Sequence, residues 1–331
     1  MSINRPQRPN RIQVISGNVH LSNAVQNPGG TKTTNPDSVV YVFNGSGQLI
    51  VGSPEQTYNN NSKVIATVES PFNAQVLVVG GGGGTYTDII AVPRGYGGGG
   101  GAGGVAYMES AGSMDIGTYT VTVGAGGPGS PLPSPPIPYP RPGINGNSSS
   151  FVGSTPTPYN IVARGGGGGA QGGGNPGGSG GGASYTGHPV GEGTQPAQSQ
   201  TAPNPVTNYG NHGGPTFPYG PPWPSTSHSS SGGGGAGANS TFTPNNNSGF
   251  PGGVGILIPW ATSYGESGHF GGGGGGCGNN PGNGGTGGGG NARYPGPPPY
   301  VGTDGSTNTG GGGGGGEHSG GSGVVIIRQP L

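Results

Sequence analysis

Histidine and carboxylate side chains are the residues of this chain most able to bind a metal or catalyse a reaction, and they are few and scattered. The histidines beyond the first half stand alone among glycine, serine and proline: His188, His212, His228, His269 and His318. The carboxylates Asp88, Glu192, Glu266 and Asp304 fall in different segments. Zinc ligands recur at short fixed spacings, and a catalytic nucleophile needs a base within reach. We therefore expect no metal, no cofactor and no enzymatic activity.

Glycine runs are also found in loops that bind phosphate and in proteins that bind RNA. A phosphate loop opens a helix and is followed by Gly-Lys-Ser/Thr, and no run in this chain has that context. Arg164 begins a single Arg-Gly-Gly triplet, whereas RNA-binding segments of this kind repeat it. The 10 basic and 10 acidic residues give a net charge of zero, which is unsuited to binding a phosphate backbone. We expect no nucleic-acid partner.

Aromatic residues in the segments between glycine runs are the best candidates for molecular contacts. Rigid Tyr and Trp beside Asn, Ser and Gly are typical of recognition loops. The same residues would also serve to hold long loops in place, and the sequence leaves both interpretations open. The candidates for receptor or subunit contacts are Tyr139, Tyr185, Tyr209, Phe217, Tyr219, Trp223, Trp260, Tyr264, Phe270, Tyr294 and Tyr300.

Glycine itself organises the chain, with 86 glycines in 331 residues. Many of them form runs, at 80–84, 97–101, 165–169, 172–174, 232–235, 271–276, 287–290 and 310–316. Such a composition is typical of disorder, but disordered chains usually carry a high net charge. Consecutive glycines can instead form a threefold extended helix whose N–H and C=O groups pair with neighbouring helices. We expect Ala170, Ala236 and Thr286, which interrupt or border the runs, at the surface of such a bundle.

Apolar segments between the glycine runs predict short β-strands and almost no α-helix. The segments 39–43 and 48–51 flank Asn-Gly-Ser-Gly, which predicts a β-hairpin. Further strands are predicted at 63–69, 75–79, 105–108, 118–123, 150–152 and 160–163, with a closing strand at 323–328 that returns to the first ones. The predicted fold is all-β and irregular, a small antiparallel β module plus a bundle of polyglycine II-like extended helices with long display loops. The predicted domains are an arm at 1–34, the β module at 35–79 and a glycine-rich domain at 80–331.

The N-terminal arm carries Arg5, Arg8 and Arg11 ahead of the first acidic residue, Asp37. It is either an attachment arm for an acidic partner or a solvated polar tail. Its start has no apolar segment typical of a signal peptide, and no stretch of the chain is apolar enough to cross a membrane. Cys277 is the only cysteine, and we expect it to be a small packing residue.

Four phrases of the sequence resemble the glycine-rich domain of bacteriophage tail and tail-fibre proteins. They are Val76-Leu77-Val78-Val79 before Gly80–Gly84, the glycine-rich stretch 97–104 before Val105-Ala106-Tyr107, the stretch 117–127, and Gly320–Arg328. The resemblance covers about residues 65–331. It implies a polyglycine II-type bundle whose variable loops bind host surface receptors. The inserts at 128–162 and 183–231 match no binding residue of that family.

These observations lead to the expectation of a virion protein of the phage tail fibre or tail tip. The loops between glycine runs would bind a host cell-surface protein or glycan, and the arm would attach the chain to other virion proteins. The chain would be present in several copies or as a homo-oligomer. The alternative is a purely structural virion element, such as a capsid decoration fibre or a filament subunit, whose loops make subunit contacts.

Overall fold

A computed structural model describes thirteen stretches of the chain. They are residues 19–23, 38–51, 72–86, 97–110, 113–115, 117–129, 143–153, 158–170, 172–184, 188–214, 229–241, 248–293 and 301–330. Within them the protein is almost entirely β, and its helical elements are two 3-10 turns, Gln195–Ala197 and Pro259–Ala261. The expected near-absence of helix is confirmed. The predicted strand at 63–69 and the arginines of the arm lie outside the described residues.

The described strands pair antiparallel throughout. In chain order they are β1 (Val19–Asn23), β2 (Ser38–Phe43), β3 (Gly47–Val51), β4 (Phe72–Asn73), β5 (Gln75–Val79), β6 (Val105–Met108), β7 (Ser113–Met114), β8 (Gly117–Thr122), β9 (Ser149–Gly153), β10 (Tyr159–Ala163), β11 (Thr207–Tyr209), β12 (Ile256–Leu257), β13 (His269–Phe270) and β14 (Val324–Pro330). A six-stranded sheet has the order β1-β2-β14-β5-β6-β11, and a four-stranded sheet has the order β10-β9-β8-β3. Two pairs, β12-β13 and β4-β7, complete the set.

The four central strands of the six-stranded sheet, β2, β14, β5 and β6, are buried on both faces, which explains why they are almost continuously apolar. In β14, Val325 and Ile327 point into the core between the two sheets, while Val324 and Ile326 point to the opposite, outer face. The inner core includes a stacked and edge-on trio of rings, Tyr119, Phe151 and Tyr159, contributed by the four-stranded sheet. The outer face is covered by the segment 256–270.

The closing strand behaves as expected, but the predicted hairpin is wrong. β14 pairs with β2 on one side and β5 on the other, so the end of the chain lies between two early strands. β2 and β3, which were expected to pair with each other, belong to different sheets. The turn Asn44–Ser46 carries the chain across the core because Phe43 and Leu49 are both fully buried between the sheets. This crossing buries more apolar surface than a two-stranded hairpin would.

Glycine segments continue directly from the strands and pair through their backbones. Along 80–85, successive amides donate to three different segments in turn, and the same segment recurs at every third residue. The donor amides and acceptor carbonyls are Gly80 to Gly104, Gly81 to Asn147, Gly82 to Gly321, Gly83 to Gly101, Gly84 to Ile144 and Thr85 to His318, with N···O distances of 2.8–3.0 Å. A repeat of three residues differs from the two-residue repeat of a β-strand.

The segment 97–104 shows how closely these segments approach one another. It hydrogen-bonds to six neighbours, at 80–85, 164–170, 179–182, 231–234, 274–277 and 310–313. A Cβ placed on Gly99, Gly100 or Gly101 would lie within 2.1–2.3 Å of a carbonyl oxygen of a neighbouring segment. Because the three residues face different neighbours, the segment has almost no side on which a side chain fits. Glycine is required here because any side chain would overlap the backbone of a neighbouring segment.

Alanines within the glycine segments are buried, contrary to expectation. Ala170 and Ala236 are 1% and 2% exposed, whereas Thr286 is exposed as expected. The methyl group of Ala236 packs into the outer core cluster where the glycine segments meet the six-stranded sheet. A glycine segment therefore accommodates an alanine where the methyl group fills a junction with another part of the fold.

No helix in the described part of the chain is long and apolar enough to cross a bilayer.

Candidate functional site

The end of the glycine segments farthest from the sheets is the best candidate for a contact surface. The segment 80–86 leads away from β5, and the segment 97–104 leads back to β6. The same out-and-back course brings the residues that flank six gaps in the described chain toward this end, which we call the distal end. The described residues that flank these gaps are Tyr86 and Gly97, Gly129 and Gly143, Ser184 and His188, Gly214 and Ser229, Thr241 and Ser248, and Arg293 and Val301.

Seven of the eleven candidate aromatic residues lie in these gaps, outside the described residues. They are Tyr139, Tyr185, Phe217, Tyr219, Trp223, Tyr294 and Tyr300. The described flanks fix where each of these inserts leaves and rejoins the fold. The described flanks of these inserts therefore lie toward one end of the fold, although they are far apart in sequence.

The other four candidate aromatics lie at the opposite end, on the outer face of the six-stranded sheet. Phe270 is 0% exposed and belongs to the core cluster, so of the two roles left open for it, it fits that of holding a loop in place. Tyr209, Trp260 and Tyr264 are half-buried and pack against the same cluster. These rings were expected either to make contacts or to hold loops, and in the described structure they do the second.

Trp260 is the anchor of the segment that covers the outer face. Its indole N–H donates to the hydroxyl oxygen of Tyr107 at 2.9 Å, and the guanidinium carbon of Arg328 lies 5.7 Å from the centre of its ring. Arg328 also donates to the side-chain oxygen of Gln75 at 2.8 Å. Burial raises the pKa of Tyr107, and the hydrogen bond from Trp260 opposes that rise. The arrangement ties the segment to β5, β6 and β14.

A network of side-chain amides, not predicted from the sequence, covers the outer edge of β10. Gln200 accepts from the amide of Val162 at 2.7 Å and donates to the carbonyl of the same residue at 2.7 Å, as a neighbouring strand would. Gln195, which is fully buried, and Gln200 both donate to the side-chain oxygen of Asn208. The cluster of glutamines at 195–200 was the available signal. Covering the edge prevents β10 from pairing with another chain.

Glu266 closes a turn of two glycines with left-handed backbone. Its Oε2 accepts from the amides of Gly287 and Gly288 at 2.6 and 2.7 Å. Gly287 and Gly288 have φ of 103° and 90°, so their amides can point at one oxygen. This carboxylate, considered above for chemistry, therefore holds the backbone in place.

His318 and Asp304 form the one histidine–carboxylate pair among the described residues. Their Nδ1 and Oδ1 atoms are 3.3 Å apart, and the same Oδ1 accepts from the amide of Ser319. Burial lowers the pKa of His318, and Arg293 acts in the same direction, while Asp304 opposes both. No group of three possible metal ligands occurs in the described stretches. The pair is suited to holding the turn at 317–319.

Cys277 is buried at the end of its glycine segment. It is 2% exposed, and burial raises the pKa of its thiol to about 11. A protonated, enclosed thiol is a poor nucleophile. Cys277 is therefore a small packing residue, as expected.

Comparison with known families identifies the larger part of the chain. Residues 57–330 match the family model described as a glycine-rich domain. A search of curated proteins finds no match. The matched region includes all the glycine segments, both sheets except their first strands, and the closing strand. The chain belongs to the glycine-rich domain family.

Proposed function

We propose that this chain is a structural protein of a phage virion, at the tail fibre or tail tip, that binds a host receptor. In this proposal the glycine segments form a polyglycine II-like bundle, and the inserts at its distal end make the contact. The chain acts as a binding protein without cofactor or catalysis. The observation that carries the proposal is that the described residues on either side of the six inserts lie toward the distal end.

Hydrogen-bond periodicity supports the bundle. A threefold extended helix directs successive amides along three directions about 120° apart, so each third residue meets the same neighbour. The segment 271–277 follows this rule in addition to 80–85. Its amides at 272 and 275 donate to 287 and 290, those at 273 and 276 donate to 253 and 250, and those at 274 and 277 donate to 100 and 97.

A rigid core without side chains supports display at its end. The close approach of segments around 97–104 leaves the bundle no side-chain chemistry of its own. Function in such scaffolds resides in the loops that they position. The seven aromatic residues of the distal inserts have the composition of recognition loops.

Attachment and location follow from the same proposal. The arm with Arg5, Arg8 and Arg11 binds other virion proteins, and the domain extends outward as one of several copies. The host partner is a cell-surface protein or glycan. The neutral charge of the chain does not favour a nucleic-acid partner.

A second candidate is a purely structural virion element. It is favoured by the aromatic residues on the outer face, because their packing within the chain leaves them little surface for a receptor. Tyr209, Trp260, Tyr264 and Phe270 all pack within the chain. In this candidate function the distal inserts contact neighbouring subunits of the virion, and they contribute to assembly instead of to binding of the host cell.

Adsorption of the purified protein to host cells tests the proposal. The wild-type protein is expected to bind cells and to compete with virions. Replacing residues 215–228 by a Gly-Ser linker of equal length is expected to abolish binding, because it removes Phe217, Tyr219 and Trp223. A matched control replaces Asn283, an exposed residue outside the inserts, by Ala and is expected to bind normally. Binding that survives removal of every distal insert would refute the adhesin role.

A further inference from the structure

The turn that carries the chain from one sheet to the other contains an asparagine followed by a glycine, Asn44 and Gly45. Asparagine is chemically labile in this context, because the backbone nitrogen of the next residue can attack the side-chain carbon Cγ. Glycine hinders that attack least, since it has no Cβ. The sequence has the same Asn-Gly pair at two further positions, beginning at Asn145 and Asn283. All three pairs share one chemistry, so their surroundings decide which of them reacts.

The pair at Asn145 is held at both reacting groups. The backbone amide of Gly146, which would have to attack, donates to the carbonyl of Gly166 at 2.9 Å. The side chain of Asn145 accepts from the amide of Gly168 and donates to the carbonyl of Pro176, both at 2.9 Å. Attack at this position requires these hydrogen bonds to break first.

The pair at Asn283 is held through its glycine. The amide of Gly284 donates to the side-chain oxygen of Asn291 at 2.9 Å. The carbonyl of Asn283 accepts from the amide of Gly252 at 2.9 Å, which fixes the backbone on the other side. This attacking nitrogen is therefore also occupied.

The pair at Asn44 has neither restraint. Within the described stretches, the amide of Gly45 and the side chain of Asn44 make no hydrogen bond. A Cβ added at Gly45 would have no atom within 4 Å, so there is room around the reacting groups. Asn44 is half-buried, whereas Asn145 and Asn283 are exposed. Exposure alone ranks Asn44 last of the three, and the hydrogen bonds rank it first.

We propose that Asn44 is a site of spontaneous deamidation, through attack by the backbone nitrogen of Gly45 on Cγ of Asn44. The nitrogen forms a bond to Cγ and loses its proton, and the side-chain amide nitrogen leaves as ammonia, which produces a succinimide ring. Water then opens the ring at either of its carbonyls and leaves the carboxylate of an aspartate or an isoaspartate. The reaction consumes one water, releases one ammonia and involves no change of oxidation state.

Modification at this turn acts on the join between the two sheets. Either product adds a negative charge, and isoaspartate also moves the side-chain methylene into the backbone. Phe43 and Leu49, on either side of the turn, are fully buried, and Ser46 holds the turn by accepting from the amide of Val123 at 3.0 Å. A lengthened backbone works against this packing, so aged protein is expected to unfold at a lower urea concentration. The inference does not rest on the proposed receptor binding.

Incubation of the full chain at mildly alkaline pH, followed by digestion and mass spectrometry, tests the site. The three Asn-Gly peptides are compared in the same sample, and isoaspartate is separated from aspartate by chromatography. Asn44 is expected to convert at least about tenfold faster than Asn145 or Asn283, because their glycine amides must first give up a hydrogen bond. In urea-denatured protein the three sites are expected to convert at similar rates, which separates the effect of the fold from that of the sequence.

Three variants test the chemistry. Asn44→Gln is expected to stop conversion, because a glutamine must close a larger ring, and Gly45→Ala is expected to slow it, because a methyl group hinders the attacking nitrogen. Asn291→Ala frees the amide of Gly284 and is expected to raise the rate at Asn283 several-fold, with the rate at Asn44 unchanged. Thermal unfolding shows that each variant is folded.

The inference is overturned if Asn44 remains an amide in the folded protein, or if Asn145 or Asn283 converts as fast as Asn44 does. An unchanged rate at Asn283 in folded Asn291→Ala protein would likewise overturn the protective role assigned to the hydrogen-bonded glycine amides.

Discussion

Replacing Gly100 by Ala tests whether the close contact between glycine segments stabilises the protein. The added Cβ would lie 2.1 Å from the carbonyl oxygen of Gly83, whereas ordinary contacts begin at 3.4 Å. Relieving the overlap moves the two segments apart by more than 1 Å. That movement breaks the hydrogen bonds from Gly83 to Gly101 at 2.8 Å and from Gly313 to Gly83 at 3.0 Å. It also strains the bond from Gly100 to Gly313 at 2.8 Å.

Each buried backbone group left without a partner costs about 1–3 kcal/mol. At a central value of about 2 kcal/mol for each, two to three lost bonds, less the gain of about 0.4–1 kcal/mol from a stiffer unfolded chain, give a destabilisation of about 3–5 kcal/mol. Urea unfolding followed by circular dichroism measures this loss. Labelling of Cys277, the only cysteine, provides an independent measure because its thiol is buried in the folded protein.

Two substitutions serve as controls for Gly100→Ala. A Cβ added at Gly45 would have no atom within 4 Å, and Gly45 has no left-handed φ, so Gly45→Ala is expected to be neutral or slightly stabilising. Ala102 lies in the same segment as Gly100 and is already buried, so Ala102→Gly is expected to cost only about 1 kcal/mol. A cost below about 1 kcal/mol for Gly100→Ala, similar to that of Ala102→Gly, would refute the reasoning.

Three further predictions concern side chains that hold the fold together. Glu266→Gln removes the charge that accepts from two glycine amides and is expected to cost about 1–2 kcal/mol in urea unfolding; an unchanged midpoint would contradict this role. Trp260→Phe removes the hydrogen bond to Tyr107 and is expected to cost about 1–2 kcal/mol by thermal unfolding, whereas an equal Tm would show that the bond contributes nothing. The pKa of His318 is lowered by burial, so the unfolded chain binds its proton more readily, and stability is expected to fall as the pH drops through about 6.5. His318→Gln is expected to flatten that part of the curve between about pH 8 and pH 5, and an identical curve would contradict the assignment.

The strands could be predicted because each is a short run of apolar residues that stands out from the glycine-rich sequence around it. β5, β6 and β14 are short, apolar and bordered by glycine, and all three formed within two residues of the predicted bounds. The pairing of β2 was not predictable from the turn Asn44–Ser46, because a hairpin and a crossing between sheets use similar turn residues. Distant residues such as Phe43 and Leu49 decided between the two.

Partners of the glycine segments could not be predicted from sequence. Gly80, Gly81 and Gly82 have no side chains to distinguish them, yet they bind three different segments. The hydrogen-bond partners of each glycine segment are set by the positions of the strands that precede and follow it. Burial of Ala170 and Ala236 was missed for the same reason, since a methyl group in a glycine run carries no periodic signal about what it faces.

The side-by-side flanks of the distal inserts have a consequence for how this protein can diversify. The gap between Ser184 and His188 holds three residues, and the gap between Gly214 and Ser229 holds fourteen, yet the segments on either side of both gaps hydrogen-bond through their backbones to neighbouring segments. Lengthening, shortening or exchanging an insert therefore requires no compensating change in the glycine segments. A lineage that carries this scaffold can vary its inserts independently, and recombination at the glycine runs would exchange whole inserts without disturbing the fold.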